Sequence, residues 1–288
     1  MTRVCLYLLG TAQDGGIPHP NCFCKNCSKA IYDPQFKRNA ASLAIVLPED
    51  QQWHLIDATP DLKEQMVKLQ MKHNLKGKIM DSVFLTHAHT GHFPGLLFLG
   101  REMINTRELP VFAGKKMKTL LETEAPWRQL TQLNNIVVNE IENGDHCSIS
   151  KNVTVIPVEV PHRNEFTETF AFWIVGPNKK VLYIPDIDRW EEWSVDIYQA
   201  CREADICLLD GTFYSAKDFE HIHRDYREIP HPPMTETMGR LSDLVEETEI
   251  FFTHVNHSNP AIESENKIRH IIEEKGFNIA EDGMEFEI

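Results

Sequence analysis

Short, nearly continuous apolar runs recur along the whole chain. They cover residues 4–9, 42–47, 53–57 and 82–86, then 110–113, 135–138, 153–160, 170–175 and 181–185, and finally 206–210, 250–255 and 284–288. They are rich in Val, Ile, Leu and Phe and are bounded by Gly, Pro, Asn or Asp, which predicts β-strands. A second pattern repeats every three to four residues and predicts helices over 61–73, 93–104, 189–202, 235–245 and 264–275. In the first of these Leu62, Met66 and Leu69 share a face; in the last, Ile268, Ile271 and Ile272 do. Early strands follow one another through turns, and helices sit mostly between later ones. That order suits packed sheets with helices outside, a layered α/β fold. There is no internal repeat, low-complexity tract or obvious linker, so residues 1–288 read as one domain.

Charge narrows the class of partner. Twenty-nine basic against 43 acidic residues give a formal charge of −14, which argues against a surface built for bulk nucleic acid or anionic membrane. No apolar run approaches the ~20 residues of a membrane span. The N-terminal apolar stretch is too short for a signal peptide, so a cytoplasmic protein is expected. The charge favours a small-molecule substrate drawn to a local cation. A homodimer is compatible with the same composition.

The densest chemistry is Thr86-His87-Ala88-His89-Thr90-Gly91-His92, at the end of a buried-strand pattern. His87 and His89, two apart, point the same way from extended backbone. Neutral imidazole is a common metal ligand, so this loop predicts a metal site. The seven cysteines are an odd number, and four are scattered: Cys5, Cys147, Cys201 and Cys207. The other three form Cys22-Phe23-Cys24-Lys25-Asn26-Cys27, which reads as a zinc site in a reducing compartment rather than a disulfide framework. His257 is the preferred fourth ligand and His19 the nearby alternative. A redox role for the Cys-x-x-Cys half is disfavoured, because no helix N-terminus obviously follows Cys24.

The His-rich loop resembles the HxHxDH signature of the metallo-β-lactamase fold superfamily, with Gly91 standing where that signature has Asp. The resemblance implies an α/β four-layer αβ/βα sandwich with a metal site at the edge between two sheets. It extends to Asp57 at an early strand end and to His162, Asp186 and His254, each just after a strand-like run. The stretch 9–18, the cysteine trio, Asp210-Gly-Thr-Phe, His254-Val-Asn-His-Ser-Asn-Pro and Asp282-Gly-Met-Glu resemble one subgroup. It holds the pyrroloquinoline-quinone biosynthesis protein B and its relatives. The cyclic-phosphate phosphodiesterase of phosphonate breakdown is similar in its glycine loop, cysteine trio and C-terminal His-x-x-His. That likeness supports His257 as the last ligand of a structural Cys3His zinc joining the 22–27 loop to the C-terminal region. The biosynthesis protein commonly lacks the first two loop histidines, which this chain keeps as His87 and His89.

The resemblance implies one metal on His87, His89 and His162, and a second on His92, Asp186 and His254, with Asp186 bridging. One or two divalent ions (Zn, Mn or Fe) would supply a metal-bound hydroxide near neutral pH. Gly91 removes one anionic oxygen from the second site, which predicts weaker binding there or a water in the gap. Asp57 is expected to orient a liganding imidazole. His231, in a Pro-rich loop, is expected to protonate the leaving oxygen as general acid. The expected activity is metal-dependent hydrolysis of a phosphodiester or cyclic phosphate. The alternative is an iron-dependent oxygenase of peptide-derived quinone cofactor biosynthesis. Asp14 is placed near the cleft, and Gly15 and Gly16 are read as turn formers. His221 and His223 read as an exposed polar segment. Trp127, Trp173 and Trp190 line a pocket or fill the core, with the core favoured for Trp173.

Overall fold

The computed structural model describes residues 3–217 and 229–288. Strands β1 (Cys5–Gly10), β2 (Ser42–Leu47), β3 (Gln52–Ile56), β4 (Ser82–Phe84), β5 (Leu109–Ala113) and β6 (Ile136–Glu140) form one sheet with the C-terminal β14 (Glu285–Glu287), in the order β14-β1-β2-β3-β4-β5-β6. The other contains β7 (Cys147–Ser148), β8 (Thr154–Glu159), β9 (Phe170–Val175), β10 (Lys180–Ile184), β11 (Ile206–Asp210), β12 (Glu249–Thr253) and β13 (Asn278–Ile279), in the order β13-β12-β11-β10-β9-β8-β7. Each sheet pairs antiparallel over part of its width and parallel over the rest: β3 to β6 are parallel in the first, and β10 to β13 in the second.

The continuous apolar runs follow from burial on both faces. In β1, Leu6 and Leu8 point between the sheets, while Cys5, Tyr7 and Leu9 face outward under helices. In β11, Ile206 and Leu208 point inward and Cys207 and Leu209 outward. The inner core interleaves Leu43, Ile45, Ile56 and Phe84 of one sheet with Val155, Phe172, Ile174 and Tyr183 of the other. Helices α2 (Leu62–Lys72), α3 (Lys115–Thr123) and α4 (Trp127–Gln132) cover the first sheet. Helices α5 (Ile197–Arg202), α6 (Met234–Leu241) and α7 (Lys267–Glu274) cover the second. This is the four-layer αβ/βα sandwich.

Predicted helices 235–245 and 264–275 shorten to α6 and α7, and two others do not form as continuous α-helices. Over 93–104 the chain forms a 3-10 segment, Pro94–Leu99, followed by turns. Gly95 packs there against the Ala58 and Thr59 carbonyls, closer than a Cβ would allow. Over 189–202 a 3-10 turn, Trp190–Glu192, precedes the short α5. Helix α1 (Lys25–Tyr32) carries the reverse correction: Cys24 is its N-cap, so a helix N-terminus does follow the cysteine pair. Helices α3 and α4 also escaped the pattern reading; each is short and buries few residues. Trp190 is buried, with its indole N–H donating to Thr237 Oγ1 at 2.9 Å. Trp173 lies partly exposed on the outer face, its ring covered by Lys180. Trp127 packs against Phe93. His221 and His223 lie outside the described residues.

Candidate metal centre

The carboxyl ends of β3, β4, β10, β11 and β12 reach one edge of the sandwich, and β8 ends there too. Each delivers a polar group just past its last residue: Asp57 after β3, the 86–92 loop after β4, His162 after β8, Asp186 after β10 and His254 after β12. Asp210 is itself the last residue of β11. Asp57 and His254 have positive φ, 65° and 56°, as the chain turns sharply off each strand. The edges of the two sheets are tied where the Phe170 N–H donates to the Thr86 carbonyl at 3.0 Å.

Side chains that are far apart in sequence converge there. His87, His89 and His162 offer ligand atoms within 4.8 Å of one another, as do His87, His92 and Asp186. Asp186 sits between two sets of imidazoles. Its Oδ1 is 3.6 Å from His162 Nε2, while its Oδ2 is 3.0 Å from His92 Nε2 and 3.3 Å from His254 Nε2. Asp186 Oδ2 and the Nε2 atoms of His87, His92 and His254 are buried without a properly aligned hydrogen bond. Buried polar atoms left in this state cost stability unless something else satisfies them. A divalent cation fits that need: three imidazole nitrogens and a carboxylate oxygen lie close together with no aligned hydrogen bond to satisfy them.

The opposite side of each ring is fixed by the protein. His87 Nδ1 contacts Thr86 Oγ1 at 2.9 Å, His92 Nδ1 contacts Asp57 Oδ2 at 2.7 Å, His162 Nδ1 contacts Asp188 Oδ1 at 2.9 Å and His254 Nδ1 contacts Thr212 Oγ1 at 3.0 Å. A metal-binding imidazole characteristically donates its second nitrogen in this way, which sets the tautomer and the ring angle. His89, nearer the rim, instead turns Nδ1 toward His162 Nε2, 3.1 Å away, and Nε2 toward Glu165. Asp57 also accepts from the backbone N–H of Thr86 at 2.8 Å and from its hydroxyl. It is fully buried and acts by holding His92 and Thr86 rather than by facing the cavity.

Asp210 repeats that arrangement across the seam and was not among the sequence candidates. Its Oδ1 accepts from the Thr212 backbone and hydroxyl, at 2.9 and 2.8 Å, and its Oδ2 lies 2.6 Å from His231 Nδ1. The signal that could have found it is the Asp-Gly-Thr after a buried strand. His231 lines a cavity of about 220 Å³ with Asp14, His89, His162, Arg163 and Asp186. Arg189 fixes its loop by donating to the carbonyls of Ile229 and His231.

Burial holds His87, His89 and His254 below the usual imidazole range, which favours the neutral form a metal ligand needs. Burial acts the same way on His92, but Asp57 and Asp186 outweigh it and raise its pKa well above normal. Burial likewise opposes charge on His231, and Asp210 reverses that. Asp14 is pulled down to about 2, because the hydrogen bond and charge of His92 overcome its own burial.

A second donor set lies beside this edge. Cys22, Cys24, Cys27 and His257 offer ligand atoms within 4.8 Å of one another. His257 Nδ1 is 3.4 Å from Cys22 Sγ and 3.5 Å from Cys24 Sγ. Tetrahedral zinc with ordinary Zn–S and Zn–N bonds spaces sulfur and nitrogen about 3.5 Å apart. Burial keeps the His257 imidazole below its usual range, as a ligand requires. His19, the alternative, packs its ring at a tilt against His257, with centroids 4.5 Å apart, and its backbone N–H donates to Cys27 Sγ.

The sequence family described as "Beta-lactamase superfamily domain" matches residues 52–255, from the start of β3 to the residue after His254. The chain belongs to the β-lactamase superfamily. Among curated relatives of this superfamily member is "Coenzyme PQQ synthesis protein B" of Methylobacterium sp. (strain 4-46), 25% identical over 301 residues, covering 96% of this chain and 97% of the relative. The solved Zn(2+)-bound PqqB from Methylobacterium extorquens superposes with a TM-score of 0.82 at 22% identity, covering 99% of this chain and 100% of that one. A structure described as a new diphosphatase from the PhnP family gives a TM-score of 0.71 at 21% identity, covering 99% and 97%. These likenesses establish the metallo-β-lactamase fold over nearly the whole length. The superfamily's usual loop carboxylate is absent at Gly91, and the gap expected there is filled. A Cβ on Gly91 would overlap Asp14 Oδ1 and lie 2.9 Å from Asp14 Cγ.

Proposed function

We propose that this protein is a metal-dependent hydrolase of a small anionic ester, a phosphodiester or cyclic phosphate. The observation that carries the reading is Asp186, whose two oxygens face separate groups of inward-pointing imidazoles, with His231 on the same cavity. His87, His89 and His162 would hold one divalent ion, and His92, Asp186 and His254 a second, with Asp186 shared. Zn, Mn and Fe all suit this donor set. When bound, such ions supply Lewis acidity: they acidify water and neutralise negative charge developing on a phosphoryl oxygen. Cys22, Cys24, Cys27 and His257 would hold a structural zinc. Among the described residues no helix is long and apolar enough to cross a membrane.

The chain's own residues do the rest. Asp57 and Thr86 keep His92 and His87 at fixed angles, and Asp188 does so for His162. Asp210 stores a proton on His231, whose free nitrogen serves the leaving oxygen as general acid. Arg163, on the cavity rim, offers a cation to a substrate phosphate. Cleavage of bis(p-nitrophenyl) phosphate and of a five-membered cyclic phosphate by the Mn- or Zn-loaded protein tests the reading. Turnover that disappears in His162→Ala supports it; no ester cleaved under full metal loading overturns it.

The near full-length similarity to coenzyme PQQ synthesis protein B favours a second reading, an iron-dependent oxygenase in quinone cofactor synthesis. Oxygen consumption by the Fe(II)-loaded protein with a tyrosine-containing peptide, in the absence of esterase activity, would select it.

A further inference from the structure

Gly91 and Asp14 belong to loops far apart in sequence, yet they compete for one volume. No side chain at position 91 fits while Asp14 keeps its place. Asp14 Oδ1 is 3.4 Å from His92 Nε2, and Asp14, His92 and His254 offer ligand atoms within 4.8 Å of one another. Both of those Nε2 atoms are buried and lack a hydrogen-bond partner.

The Asp14 loop is built to hold this position. The Gln13 N–H donates to the Val255 carbonyl at 3.1 Å, and the Val255 N–H donates to the Thr11 carbonyl at 2.8 Å. The Asn256 amide also donates to the Gln13 side chain. The loop is therefore stitched to the segment that carries His254. A tight turn follows, with the Gly16 N–H on the Gln13 carbonyl and Gly16 at φ 67°, a conformation that favours glycine. A Cβ on Gly15 would lie 2.6 Å from the His19 ring. The two glycines thus turn the chain directly behind Asp14.

We propose that Asp14 is a ligand of the second divalent ion, its carboxylate reaching in from the first loop of the chain in place of a side chain at position 91. A further anionic group suits the charge balance. His92 would release its proton on binding an ion and, like His254, ligate as a neutral imidazole, and Asp186 would share its negative charge between two ions. Asp14 would add an unshared negative charge to the second one. This assignment rests on the metal-centre reading above.

The test is Mn²⁺ titration of the protein with its cysteine-site zinc retained, followed by calorimetry and electron paramagnetic resonance. Wild type is expected to take two Mn²⁺. Asp14→Asn is expected to weaken the second by roughly 10–100-fold or more, the range seen when groups supporting a metal are removed. The first Mn²⁺ and the zinc stay bound, the latter reporting an intact fold. Asp14→Gly loses the second ion equally, and Asp14→Gly/Gly91→Asp recovers it by returning a carboxylate to the same volume. Unchanged affinity for the second ion in Asp14→Asn, or no recovery in the double variant, overturns the assignment alone. A wild type that takes a single Mn²⁺ also overturns it alone. A wild type that takes none beyond the cysteine site overturns the metal-centre reading with it.

Discussion

Asp210 holds His231 through a 2.6 Å contact to Nδ1, while the same carboxylate anchors Thr212, which in turn contacts His254. One buried acid therefore positions both the expected proton donor and an expected ligand. His231→Ala should lower kcat by about 10²–10⁴-fold for a substrate with a poor leaving group, and much less for a p-nitrophenyl ester. Comparing the two substrates by steady-state kinetics checks this.

The same contact sets a pH dependence. Asp210 raises the pKa of His231 against the effect of burial, so the acid form persists to higher pH and is lost as pH rises through that value. Asp210→Asn removes the raising charge. The alkaline limb of the kcat–pH profile should move to lower pH in that variant, while the acid limb stays in place.

Asp57 should act on binding rather than on chemistry. Asn tolerates its positive φ better than most residues and can still accept from Thr86, but it cannot hold His92 as a carboxylate does. Asp57→Asn should weaken metal binding at His92 by about 10–100-fold, measured by calorimetry, with activity recovered at high metal concentration.

The cysteine cluster ties the first loop to the segment behind His254, with Asn26 donating to the His257 carbonyl at 2.9 Å. Cys24→Ser should cost one zinc per chain by elemental analysis. A loss of a few kcal/mol in a domain of this size should lower the thermal midpoint by roughly 5–10 °C.

Asp282 is half-buried, and desolvation of its carboxyl raises the pKa to about 6 despite hydrogen bonds from Asn39 and Thr11. The folded state therefore binds this proton more tightly than the unfolded chain does. Its contribution is fully present below the unfolded pKa, near 4, and is lost as pH rises through about 6. Wild type should lose up to about 3 kcal/mol relative to Asp282→Asn between pH 4 and pH 7. Urea unfolding of both proteins at several pH values checks the sign and the size.

The double-faced strands made the architecture readable from sequence. Runs such as Leu43–Leu47 leave no polar face, so they had to lie between two apolar layers. The candidate ligands were readable because each follows such a run. Asp14 could be placed near the cleft but not assigned, because its neighbour in space is Gly91, and an absent side chain leaves no pattern. Asp210 was hidden for a related reason: it is the last residue of β11 and reads as a strand boundary. The start of α1 was missed because its N-cap is a cysteine that makes no capping hydrogen bond, in place of the usual Ser, Thr, Asp or Asn. Pro94 and Gly95 tightened an apolar stretch that otherwise counts as an α-helix.

The seam between the sheets has a mechanical consequence. His87, His89 and His92 hang from the first sheet, while His162, Asp186 and His254 hang from the second. On the proposed reading, neither ion can be held by one half alone, so each acts as a clasp across the open edge of the sandwich. Stripping the centre should then loosen the two halves relative to each other, and resistance to unfolding should climb with free metal concentration. The same groups that would perform the chemistry would also keep the molecule shut.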